Sequence, residues 1–61
     1  MIVTVYHDDV NYPQPLIIKD VLCASCHTND NGTVTITGER QNDVHWIVAL
    51  DKKLFHDVII A

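Results

Sequence analysis

The chain has 61 residues, 48% of them hydrophobic and 20% charged, and a formal net charge of −4. That length admits one small domain and excludes enzyme folds built around a large enclosed cleft, while the apolar fraction is that of a folded domain and not of a disordered segment. Eight acidic residues stand against four scattered basic ones, Lys19, Arg40, Lys52 and Lys53; without the clustered cations on which phosphate recognition rests, no nucleic-acid partner is expected.

Eight Val, seven Ile and five Thr, against one Glu, two Gln and three Ala, give an all-β reading, because β-branched side chains lose rotamer freedom in helices and pack well on pleated sheets. The first strand is Ile2 to His7, with Ile2, Thr4 and Tyr6 on one face and Val3, Val5 and His7 on the other. Asp8 to Pro15 is a loop, since its two prolines and polar cluster cannot continue a ladder. The second strand runs from Leu16 to about His27 and is long enough that a bend or bulge is expected near Asp20. Asn29-Asp30-Asn31-Gly32 is a tight turn that uses residues tolerant of positive φ.

The third strand, Thr33 to Thr37, alternates cleanly: Thr33, Thr35 and Thr37 face one way, Val34 and Ile36 the other. Gly38 to Asp43 reads as a second polar turn. Val44 to Leu50 is the fourth strand, with Val44, Trp46, Val48 and Leu50 on one side and the unusually apolar set His45, Ile47 and Ala49 on the other. After a short connection, Asp51-Lys52-Lys53, a fifth strand runs from Leu54 or Phe55 to Ile60. A short C-terminal helix competes for this last stretch, because Leu54, Phe55, Val58 and Ile59 also fall on one stripe at helical spacing. The expected fold is a single small domain over residues 1–61, a five-stranded antiparallel meander curled into a small open barrel or sandwich.

A chain this short buries only about 60% of its unfolded surface, and strands that are apolar on both faces need cover on both sides. A homodimer would supply that cover and protect the sheet edges. A bridge between Cys23 and Cys26 would close too small a loop to substitute for it. Met1 leads into Ile2-Val3-Thr4-Val5 with no basic lead segment. The longest apolar stretches, such as Ile47-Val48-Ala49-Leu50, fall far below the ~18 residues of a membrane span. The expected setting is cytoplasmic, with reduced thiols and no membrane contact.

Cys23-Ala24-Ser25-Cys26-His27 matches C-x-x-C-H and so resembles the haem-attachment motif of c-type cytochromes, in which two thiols bond the vinyl groups and the histidine ligates iron. The match covers five residues and implies an exported, mostly helical protein with a second axial ligand; this chain reads as β, and Met1 is its only methionine. Zinc is the other chemistry on offer. Cys23 and Cys26 have knuckle spacing, and His27, His7, His45 or His56 would complete a tetrahedral set. Residues three apart on an extended strand point to opposite faces, however, so both thiols reach one ion only across a bulge. A zinc-binding or redox module on Cys23, Cys26 and His27 is the alternative to the simpler reading, in which the thiols are small half-buried side chains and no cofactor is needed.

His7-Asp8-Asp9 and His56-Asp57 offer a carboxylate–imidazole metal site, read more simply as solvated strand ends. No catalytic residues are assigned: Cys26 and His27, as strand neighbours, point apart, and Ser25 has no base beside it. Trp46 aligns with the core positions of its strand but is also the residue type that anchors interfaces. With Ile47, Val48 and the loop residue Tyr12 it makes the candidate contact set.

Val5-Tyr6-His7-Asp8-Asp9 and Asn31-Gly32-Thr33-Val34-Thr35-Ile36-Thr37-Gly38 together are similar in style to the short all-β accessory proteins of phages and prophages. The resemblance covers about half the chain. It implies a non-catalytic protein that acts by binding, to a host or virion protein. A further alternative is an inhibitor of a host nucleic-acid enzyme that uses the acidic surface as a decoy.

Overall fold

A computed structural model describes residues 1–61. It contains six strands and no helix: β1 (Val3–His7), β2 (Leu16–Ile18), β3 (Val21–Thr28), β4 (Thr33–Arg40), β5 (Val44–Asp51) and β6 (Phe55–Ile60). They form two three-stranded antiparallel sheets, ordered β2-β1-β6 and β3-β4-β5. No helix is long and apolar enough to cross a membrane.

The expected five strands become six because the long second one breaks where a bend was anticipated. Asp20 adopts φ 59°, a left-handed conformation that a short polar side chain tolerates. That residue turns the chain out of one sheet and into the other, making a corner of the kind that joins packed sheets. The corner is tied down from the amino terminus: Val21 N–H donates to Met1 O at 2.9 Å, and the Met1 amine donates to Val21 O at 2.8 Å.

The competing C-terminal helix does not form, and the chain is not a simple meander. β6 pairs with β1 from Val3↔Ile60 to His7↔Phe55, and Ile2 and Ala61 exchange backbone hydrogen bonds of 2.8 and 3.0 Å. The free edge of β1 gives Val58-Ile59-Ile60 a ladder, and β-branched residues gain more from it than from a helical turn.

Two turns shape β4. In the β3–β4 hairpin Gly32 sits at φ 82°, and Asn29 Nδ2 donates to Thr33 Oγ1 and Thr35 Oγ1 at 3.1 and 2.7 Å. In the β4–β5 hairpin the left-handed residues are Asn42 and Asp43, types suited to tight hairpins. That turn is shorter than the sequence implies. Gly38, Glu39 and Arg40 stay paired, to Trp46, His45 and Val44, so Gly38 is a strand residue and not a turn residue. The Trp46 ring explains why a glycine stands there: a Cβ on Gly38 would lie 2.5 Å from Trp46 Cζ2 and 2.8 Å from Cε2, and would also clash with Cys23 O. The ring occupies the space a side chain would need.

The core lies between the sheets. Val3 and Val5 of β1 face Val34 and Ile36 of β4, and Val21 joins them at the corner. Leu16, Ile18, Ala24, Trp46, Val48, Leu50, Phe55 and Val58 pack around these five. The alternation read along Thr33–Thr37 holds: Val34 and Ile36 are buried and the threonines are not.

Candidate functional site

The C-x-x-C-H segment lies on β3, an edge strand. Cys23 is opposite Glu39, Cys26 opposite Ile36, and His27 opposite Thr35. Partners across an antiparallel pair share a face. Cys26 therefore lies on the core side with Ile36, while Cys23 and His27 lie on the outer side. The one irregularity falls between Val21 and Cys23, ahead of both thiols, so nothing turns them toward each other. No group of three or more His, Cys, Asp or Glu side chains gathers to hold a metal ion. Both thiols are free and exposed, not half-buried as the sequence implies, because β3 extends past the cover of the opposing sheet: the core-side positions Cys26 and Thr28 are themselves exposed.

A second constellation surrounds His7. The Asp9 N–H donates to His7 Nδ1 at 3.1 Å, which leaves the ring proton on Nε2, where it is donated to Gln14 O at 3.0 Å. The imidazole thus ties both ends of the loop 8–15. Tyr12 stacks on it, with centroids 5.9 Å apart and an interplanar angle of 10°. The pair forms one wall of a half-open apolar cleft of about 290 Å³, whose other walls are Leu16, Val48, Ala49, Leu50 and Leu54, with Asp9 the only carboxylate. Tyr12, an anchor candidate in the sequence, is thus held by the histidine that ends β1. His7→Phe should keep the stacking and lose both loop hydrogen bonds. The expected result is hydrogen exchange at the Asp9 amide faster by roughly tenfold or more, with β4 amides unchanged.

Among His7-Asp8-Asp9 and His56-Asp57, offered by the sequence as a metal site or as solvated strand ends, one contact forms: His56 Nε2 and Asp8 Oδ2 lie 2.6 Å apart, both largely exposed. It is a surface pair and gathers no third ligand.

Trp46, Ile47 and Val48 separate along β5. Trp46 and Val48 are half-buried and pack against the core, and Trp46 Nε1 is buried without an acceptor. Ile47 points outward and is 68% exposed. Comparison with family models, curated proteins and solved structures finds no match to this chain.

The structure adds a surface that the sequence reading did not single out. On the outer face of the β2-β1-β6 sheet, Thr4 is opposite both Ile17 and Ile59, which are 56% and 48% exposed, and Ile2 and Tyr6 are exposed on the same face. The signal was present in the unbroken apolar runs Leu16-Ile17-Ile18 and Val58-Ile59-Ile60, which leave both faces of a strand apolar.

Proposed function

We propose that the chain is a non-catalytic protein-interaction module that self-associates. One observation carries this reading. Only five residues are buried, while twelve large hydrophobic side chains remain exposed. At about 25 cal/mol per Å² of apolar surface removed from water, covering part of that surplus against a second copy adds to the stabilisation that so small a core supplies. The separation of Cys26 from His27 onto opposite faces supports the non-catalytic part, since a nucleophile needs its base within hydrogen-bond reach.

The resemblance in style to phage and prophage accessory proteins extends the reading to a second partner, a host or virion protein. The self-association is tested by sedimentation velocity from low to high micromolar concentration. A mass that rises from one chain to two is the expected result. A single-chain mass throughout the range overturns the reading.

A further inference from the structure

We infer that the copies join edge to edge through β3, pairing antiparallel with the same strand of a second chain. The inference rests on the self-association proposed above and adds to it a contact through backbone hydrogen bonds, since none of the exposed large hydrophobic side chains lies between Cys23 and Thr28.

The four free edges of the two sheets differ in how they are protected. β2 has three residues and lies between Pro15 and Lys19. β6 carries His56 and Asp57, and its pairing with β1 is irregular at Tyr6/His7. β5 is as long and as regular as β3 and is uncharged from Val44 to Leu50, but it ends at Asp51, and the cleft wall of His7 and Tyr12 stands beside its Val48–Leu50 stretch. Short length, charge, irregularity and cover are the usual devices that keep an edge from pairing with another chain. β3 has none of them from Cys23 to Thr28. That stretch holds six consecutive residues in unbroken register with β4, no Asp, Glu, Lys, Arg or Pro, and no neighbour beyond it in the sheet.

The hydrogen-bonding groups of this edge are assigned by alternation. Asn29 N–H donates to Thr33 O, so Asn29 turns its backbone groups toward β4. In an antiparallel ladder the bonded positions alternate, which places Asn29, His27, Ser25 and Cys23 toward β4. Ala24, Cys26 and Thr28 turn their N–H and C=O groups outward, to the open edge. Three evenly spaced donor–acceptor sets on an uncharged strand form a template for another strand.

A second copy fits this template for two reasons. A strand with no charged side chain meets itself without the like-charge repulsion that opposes self-pairing elsewhere on a chain of net charge −4. A two-fold axis normal to the sheet is the operation that sets one strand antiparallel to its own copy, and it keeps the faces in place. The core-side row Ala24, Cys26, Thr28 therefore meets the partner's core-side row, and the outer row Ser25, His27 meets the partner's outer row. The result is one continuous six-stranded sheet with an isologous contact at its centre.

Sedimentation equilibrium on five chains tests this: wild type, S25K, S25E, C26P and I17K, each checked for folding by circular dichroism. C26P removes an outward N–H without touching the ladder to β4 and should raise the dimer dissociation constant about tenfold or more. S25K and S25E place like charges on the outer row of both copies and should each raise it about fivefold, while their equimolar mixture returns to near the wild-type value. The two Ser25 variants keep the test valid if C26P fails to fold. I17K, on the far sheet, should dimerise as wild type does. If wild type dimerises and the β3 variants match it while I17K dissociates, the edge inference is overturned and self-association stands. If wild type is monomeric throughout, both fall.

Discussion

Ile36→Ala should lose about half of the stability of the fold and unfold at a much lower urea concentration than wild type. Ile36 is fully buried at the middle of β4, opposite Cys26 on one side and Val48 on the other, and is among the largest of the fully buried side chains. Truncating a buried Ile to Ala costs about 2–5 kcal/mol, more where the surroundings cannot collapse onto the space. A chain of 61 residues has roughly 3–9 kcal/mol of stability in total, at the usual 0.05–0.15 kcal/mol per residue. One substitution thus removes a large share of the whole. Ile36→Val, which keeps the branched shape, should cost only about 1 kcal/mol. Urea unfolding followed by circular dichroism separates the two. Because association stabilises the folded form by mass action, the folded fraction of Ile36→Ala should also rise with protein concentration. A wild-type-like midpoint for Ile36→Ala would mean that the core does not lie where Val34 and Ile36 meet Val3 and Val5.

The parts of this fold that were legible in the sequence are those that local chemistry decides. Asn29 to Gly32 had to be a turn, because asparagine and glycine accept the left-handed backbone that a tight hairpin needs. Thr33 to Thr37 had to have one buried and one solvated face, because the period of two is printed in the residues. Asp20 was the weak point of an over-long strand. The opposite orientation of Cys23 and Cys26 also followed from spacing alone.

What stayed hidden depends on contacts far apart in sequence. The run Val58-Ile59-Ile60 favoured a strand over the helix that the stripe of Leu54, Phe55, Val58 and Ile59 also allowed, but nothing local distinguishes it as a partner for β1. The exposure of both thiols depends on how far β3 extends beyond the opposing sheet. The hold of His7 on the loop 8–15 depends on where that loop closes. Gly38 was hidden for the same reason: glycine is more often a turn former, and its use within a strand follows from a ring eight residues away that leaves no room for a side chain.

The close approach of the Trp46 ring to Gly38 carries the second large effect. Gly38→Ala should destabilise the fold by about 3 kcal/mol, at the upper end of what overpacking costs. The added methyl meets the Trp46 ring at 2.5 Å and the backbone oxygen of Cys23 on the neighbouring strand. Neither can simply rotate aside, since the indole is packed against the core and the carbonyl belongs to the β3–β4 ladder. Removing the ring should relieve part of the clash. In a Trp46→Leu background the same Gly38→Ala change should cost only about 1 kcal/mol, so the two substitutions are coupled by more than about 1 kcal/mol in a double-mutant cycle. Trp46→Phe isolates the other feature of this residue, its buried Nε1–H without an acceptor. An unpaired buried donor costs about 1–3 kcal/mol, so Phe, which keeps much of the ring and deletes the donor, should leave stability within about 1 kcal/mol of wild type. Equal costs for Gly38→Ala in the Trp46 and Trp46→Leu backgrounds would show that the indole is not what fills the space above Gly38. The irregularity ahead of Cys23 and the close approach of β3 to β4 would then have to explain the glycine by themselves.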